Sequence, residues 1–186
     1  MLELIQSIDE NVLLFIQEHI RVGFLNQPMV WISTLGNAGL VWILLGLILT
    51  IIPKTRKYGV LSLTSLLICF IFNNILLKNL VARPRPYTQL PELVMLMQCP
   101  ADYSFPSGHT CASFAVAGSL FWAMDQKWNT IRIPALVLAV LMALSRMYVG
   151  VHYLTDVLVA AIIGLVGSYL ISRYCSKTCD RLMQHG

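Results

Sequence analysis

Five long apolar runs constrain this 186-residue chain more than any other feature of it. They cover residues 29–52, 58–77, 108–124, 133–147 and 153–172. A helix that crosses a bilayer needs about 20 apolar residues, within a range of ~17–25. The fourth run reaches that length only by taking in Ile131, Tyr148 and Val149. Lipid offers backbone N–H and C=O groups no partners, so spanning runs of this kind must be helical. Composition agrees: 57% of residues are hydrophobic and 12% charged, against ~25% charged in a soluble domain. An ordinary soluble core and a disordered chain are both excluded. The expected fold is all-α: a membrane bundle of six helices, an N-terminal amphipathic helix plus five transmembrane spans, forming one domain over residues 1–186.

Residues 1–22 supply the amphipathic helix. Leu2, Ile5, Ile8, Val12, Leu13, Ile16 and Ile20 recur at helical spacing, with Glu3, Gln6, Glu10, Gln17 and Glu18 largely off that stripe. The segment does not read as a signal peptide, because Glu3, Asp9, Glu10 and Glu18 interrupt any apolar core. Pro53 ends the first span, and Pro84 and Pro86 stop the second. Residues 78–106 then form a long loop. Gly36, Ala38 and Gly39 give the first span a small-residue patch suited to close helix packing. Cys175 and Cys179 have no matching ligand pair, so no zinc site is expected.

Alternating spans sort the charges onto two faces. One face carries Lys54, Arg56, Lys57, Lys127, Arg132, Arg173, Lys177 and Arg181 against only Asp125 and Asp180. On the other, Glu3, Asp9, Glu10, Glu18, Glu92, Asp102 and Asp156 outnumber Arg21, Lys78, Arg83, Arg85 and Arg146. The positive-inside rule makes the basic face, with the C-terminus, cytoplasmic. The long loop then faces outward.

Ionisable residues at span ends are costly and call for a reason. Lys78 and Arg85 flank the end of the second span, Pro106-Ser107-Gly108-His109 opens the third, Ser145-Arg146 closes the fourth, and His152 with Asp156 opens the fifth. The topology brings all of them to the outer face. Lys78, Arg85 and Arg146 around one point suit a phosphate or diphosphate. Ser107 and Gly108 sit at a helix N-terminus, where free N–H groups favour an anion. His152 and Asp156, four apart on a helix, share a face, and the carboxylate leaves the far imidazole nitrogen free as nucleophile or base. His109 suits a general acid. Taken singly, Lys78 or Arg146 is a snorkelling anchor and Ser107 a helix cap. Asp102 and Glu92 read as solvated loop residues, and Arg83 as an optional aid to anion binding.

These residues resemble the type 2 phosphatidic acid phosphatase superfamily, which also contains the vanadium haloperoxidases. Its pattern of Lys, six residues and Arg-Pro matches Lys78 to Arg85-Pro86; Pro-Ser-Gly-His matches Pro106 to His109; Ser-Arg, five residues, His, three residues and Asp matches Ser145-Arg146, His152 and Asp156. The resemblance implies that His152 attacks phosphorus to form a phosphohistidine and that Asp156 orients it. It implies that His109 protonates the leaving group and then activates water. Lys78, Arg85, Ser107, Gly108 and Arg146 would hold the phosphoryl oxygens, with no cofactor or metal required. The expected substrate is a membrane lipid phosphate at the outer face of a bacterial inner membrane. Undecaprenyl diphosphate comes first, with phosphatidylglycerophosphate and phosphatidic acid close behind. Neither nucleic acid nor an obligate protein partner is expected. The alternatives are a vanadium-dependent haloperoxidase, whose known members are soluble, and a non-catalytic lipid-phosphate binding or transport module, in which the catalytic positions need not all be filled.

Overall fold

The computed structural model describes residues 2–98 and 100–184. Their secondary structure is helical, with loops between the helices and no strand among the described residues. The helices are α1 (Leu2–Phe15), α2 (Gly23–Leu35), α3 (Leu40–Ile51), α4 (Arg56–Phe70), α5 (Lys78–Val81), α6 (Pro86–Gln89), α7 (Gly108–Ala123), α8 (Asn129–Tyr148) and α9 (Leu154–Gln184). Three stretches are long and apolar enough to cross a membrane: Arg56–Gln89, Gln126–Tyr148 and Leu154–Ser176. A bent pair, Gly23–Leu35 with Asn37–Ile51, makes a fourth if counted as one span.

The count of one amphipathic helix plus five continuous spans is therefore too simple. The first expected span is broken by 51° between α2 and α3. Ala38 and Gly39 there adopt left-handed backbone, with φ of 52° and 67°, which ends one helix and starts another in a new direction. Of the small-residue patch, Gly36 packs closely, since a Cβ there would lie 2.5 Å from the His109 ring, whereas a Cβ on Gly39 would meet nothing within 4 Å. The second span runs past its expected end, through a π-helical segment Ile71–Leu77 into α5, so Lys78 lies in helix rather than loop. At 16 residues α7 is short, and most of it is buried. It is the central helix, packed by α4, α8 and α9. Its contact with α9 is close enough that a Cβ on Gly164 would stand 2.8 Å from the Cys111 carbonyl oxygen.

The N-terminal helix packs against α9 by only part of its apolar stripe. Ile5, Ile8 and Ile20 are exposed, whereas Asp9 and Leu13 are buried and Gln6, Glu10, Ile16 and Gln17 are half-buried. The bundle takes a mixed face, with Leu13 in the core and Ile16 packed against it beside polar groups, and the rest of the stripe is left outward like the exposed Leu44, Ile48, Leu67 and Ile162 of the other helices. An outward apolar surface is what lipid stabilises. Past the π-helical turn Ile16–Ile20, Arg21 donates to the carbonyls of Tyr148 at 2.7 Å and Val94 at 2.5 Å. It thereby ties the loop after α6 to the end of α8.

Candidate active site

Five chain segments deliver the expected residues to one end of the bundle. Lys78 opens α5, Arg85 precedes Pro86 at the start of α6, Gly108 and His109 open α7, Arg146 lies in the last turn of α8, and His152 sits in the turn before α9. All six line one cavity of about 750 Å³. The same cavity is lined by Ile43, Leu63, Leu66, Leu67 and Phe70. Leu63 precedes Lys78 by fifteen residues, so the apolar lining extends about 20 Å down the bundle at ~1.5 Å per residue. Ser107 and Asp156 are fully buried behind the cavity wall.

The cations are organised by a residue that no motif or spacing singles out. Asp102 Oδ2 accepts from Lys78 Nζ at 2.6 Å, and its Oδ1 accepts from Arg85 Nη2 at 2.5 Å. The Asp102 carbonyl also accepts from Arg85 Nε at 2.8 Å. Asp102 is thus more than a solvated loop residue, although its side chain is still 53% exposed. Burial alone would raise its carboxyl, but the Lys78 hydrogen bond and the Arg85 charge outweigh it and hold it at about 2. Arg146 donates from Nη1 to Ser33 Oγ, while its buried Nε has no partner among the described residues.

His152 is not on the helix that carries Asp156, since α9 begins at Leu154. The turn still sets them together, with His152 Nδ1 3.5 Å from Asp156 Oδ2. That separation is long for a hydrogen bond. Ser104 stands beside it, donating to Asp156 Oδ2 at 2.5 Å with its Oγ 3.5 Å from His152 Nδ1. The Tyr153 amide donates to the same oxygen at 2.9 Å. The other ring nitrogen, Nε2, faces Arg85 Nη1 at 3.3 Å and the cavity. Burial pushes the His152 imidazole down to about 3, with Arg85 and Arg146 adding to the push and Asp156 opposing it. The ring is therefore neutral at ordinary pH, the form in which a nitrogen lone pair can attack.

At the start of α7, Ser107 holds the N-cap position without capping through its side chain. Its Oγ instead accepts from the Thr110 hydroxyl at 3.0 Å. A Cβ on Gly108 would stand 2.7 Å from Asn74 Nδ2, so glycine leaves room for an amide that also lines the cavity. Asn73 fixes that amide by donating to Asn74 Oδ1 at 2.7 Å. His109, which has no partner on its own helix face, meets Asn37 Oδ1 through Nε2 at 3.0 Å.

Arg83 points away from the cavity. Its Nη1 donates to Asp156 Oδ1 at 2.7 Å and its Nη2 to Asp9 Oδ2 at 2.7 Å. It is a link behind the site and not an extra anion ligand. The residues missed by spacing arguments are thus Asn37, Asn74, Ser104, Asp102 and Asp9. Asn73-Asn74 was the visible one, as a polar pair inside an apolar run. The others sit at a helix bend, on loops or on the first helix, where no local period marks them.

Comparison with known proteins agrees with this geometry. Residues 58–178 match the PAP2 superfamily. An undecaprenyl-diphosphatase of Sulfolobus acidocaldarius is 34% identical over 89% of this chain and 78% of its own length. Phosphatidylglycerophosphatase B of Bacillus subtilis is 30% identical over 85% of this chain and 79% of its own. Among solved structures, the transmembrane PAP2-type phosphatidylglycerolphosphate phosphatase of Bacillus subtilis superimposes with a TM-score of 0.75 at 30% identity, covering 94% of this chain and 87% of that one. LpxE of Aquifex aeolicus gives 0.68 at 27%, covering 93% and 94%. With its family's residues gathered at one cavity and its fold matched end to end, this chain belongs to the PAP2 superfamily and is an integral membrane lipid phosphatase of that type.

Proposed function

We propose that the protein removes phosphate from undecaprenyl diphosphate, with phosphatidylglycerophosphate and phosphatidic acid as the next candidates, at the outer face of the membrane with its C-terminus in the cytoplasm. The observation that carries this reading is the form of the cavity. Lys78, Arg85 and Arg146 crowd one end, and Ile43, Leu63, Leu66, Leu67 and Phe70 line a long apolar remainder. A phosphate head fits the first part and a hydrocarbon chain the second. The relative named for undecaprenyl diphosphate supports that ranking.

The chemistry follows from the positions. His152 Nε2 attacks phosphorus, and the bond from phosphorus to the leaving oxygen breaks. His109, entering as the imidazolium, gives that oxygen a proton and becomes neutral. The ring of His152, now phosphorylated at Nε2 and protonated at Nδ1, is cationic and is stabilised by Asp156. Water, deprotonated by His109, then attacks phosphorus; phosphate leaves and both histidines return to their starting forms. The Lys78, Arg85 and Arg146 charges, with the Gly108 amide and Ser107 at the start of α7, hold the phosphoryl oxygens as negative charge develops.

The test is a panel of the three lipids in detergent with the purified protein, ranked by kcat/KM. Undecaprenyl diphosphate is expected first, and a rank below both others would reject the substrate assignment. His152→Ala is expected to release no phosphate. Wild-type release by that variant would reject the mechanism.

A further inference from the structure

We infer that Asp9, on the N-terminal helix, is a positioning residue for the reaction: by sharing Arg83 it keeps the Asp156 carboxylate turned toward His152 with its charge uncancelled. The inference rests on the reading of His152 and Asp156 given above.

Asp9 is completely buried on a helix whose other acids, Glu3, Glu10 and Glu18, are not. A buried carboxylate is strongly disfavoured unless it is paired and hydrogen-bonded. Asp9 is satisfied by two segments, the first turn of α9 and the loop that carries Arg83. Its Oδ1 accepts from the Thr155 amide at 2.9 Å, and its Oδ2 accepts from the Thr155 hydroxyl and from Arg83 Nη2 at 2.7 Å. Thr155 adjoins Asp156, so Asp9 grips the first turn of α9 at the point where Asp156 leaves it.

Charge makes the grip more than structural. Arg83 spans two buried carboxylates, Asp9 and Asp156, and lies over the Tyr153 ring at 3.9 Å. One cation between two anions leaves the cluster with an excess negative charge. Paired with Asp156 alone, Arg83 would form a neutral couple and draw Asp156 away from the imidazole. With Asp9 present, Arg83 is divided, and Asp156 Oδ2 stays available to Ser104 and His152. On the other side of His152, the Arg85 and Arg146 charges oppose a positive ring. The excess negative charge behind Asp156 is therefore what favours the cationic ring formed during turnover.

The experiment uses the full-length protein in detergent and whichever of the three lipids it turns over fastest. Asp9→Asn keeps the shape and removes the charge. It is expected to lower kcat about tenfold, the order that one unscreened charge in a protein interior can supply, with KM within about twofold. In the Asp156→Asn background it is expected to add nothing, because its effect passes through Asp156. Asp9→Glu restores the charge and is expected to recover most of kcat even where it melts at a lower temperature. Wild-type kcat in Asp9→Asn, or a double variant as slow as the product of the single effects, would overturn the inference. If Asp9→Asn does not fold, Asp9→Glu decides: a folded Glu variant as slow as Asp156→Asn would also overturn it. Wild-type kcat in Asp156→Asn alone would instead reject the underlying reading of the site.

Discussion

Nε2 of His109 lies 3.0 Å from Oδ1 of Asn37, a residue 72 positions earlier, at the bend between α2 and α3. With Oδ1 as the acceptor, Nε2 carries a proton toward Asn37, and Nδ1 is the nitrogen left to exchange one with the substrate. Asn37 therefore orients the ring of the proposed general acid. Asn37→Leu is expected to lower kcat about tenfold, within the ~10²–10⁴ that a well-placed acid contributes, and to leave KM within about twofold. Initial-rate kinetics on the preferred lipid check this, and an unchanged kcat would remove Asn37 from the mechanism.

Asp102 engages Lys78 and Arg85 together, two of the three cations assigned to the phosphate. Held at about 2, it stays ionised at every working pH and competes with the incoming anion. Asp102→Asn is expected to bind orthovanadate more tightly, by about tenfold for the loss of one competing charge at a partly exposed site. The inhibition constant against lipid hydrolysis reads this directly. An unchanged or weaker constant would show that Asp102 shapes the cation pair without obstructing it.

Stability should depend on pH through His152. Its folded-state value, about 3, lies below the ordinary 6.5, so between those values the unfolded chain binds a proton that the native one does not. The contribution is fully present above about pH 6.5 and is lost as pH falls from there toward about 3. The melting midpoint in detergent is expected to drop between pH 6.5 and 4, and His152→Asn should make that slope shallower. A slope that His152→Asn leaves unchanged would assign it to other groups.

The contact between α7 and α9 permits no side chain at Gly164, where a Cβ would meet the Cys111 carbonyl oxygen and Phe114 Cβ at 2.8 Å and the Ala115 nitrogen at 2.9 Å. Two of these atoms are backbone and cannot swing away. Gly164→Ala is expected to cost ~1–3 kcal/mol, the range for forcing atoms into a packed core, seen as a lower melting midpoint. A midpoint equal to wild type would mean that the two helices can part at little cost.

The sequence disclosed those parts of the molecule that repeat or that carry a motif. The apolar runs gave the all-helical membrane fold, because lipid permits a single solution for such runs. The family's three motifs gave Lys78, Arg85, Gly108, His109, Arg146 and His152, all of which reach the cavity. The break at Ala38 and Gly39 stayed hidden because an apolar pattern carries no record of a single left-handed residue. Ser104 and Asp102 stayed hidden because a loop has no period to reveal which of its polar groups turns inward. Asp9 misled for a different reason. An amphipathic pattern says that a helix has two faces, but not which one the protein takes, and around a bundle set in lipid the inward face holds Asp9 beside Leu13 while Ile5 and Ile8 stay outward.

That arrangement makes α1 a strap between two environments. Its outward side chains, Leu4, Ile5, Ile8 and Phe15, are exposed apolar groups of the kind hydrocarbon stabilises, and its inward Asp9 holds the first turn of α9. A bilayer around α1 would thus help to hold the reaction centre. A solvent that fails to wet the outer side of α1 is expected to loosen the clasp on Thr155, so that the disturbance reaches the imidazole from behind, with the mouth of the cavity untouched.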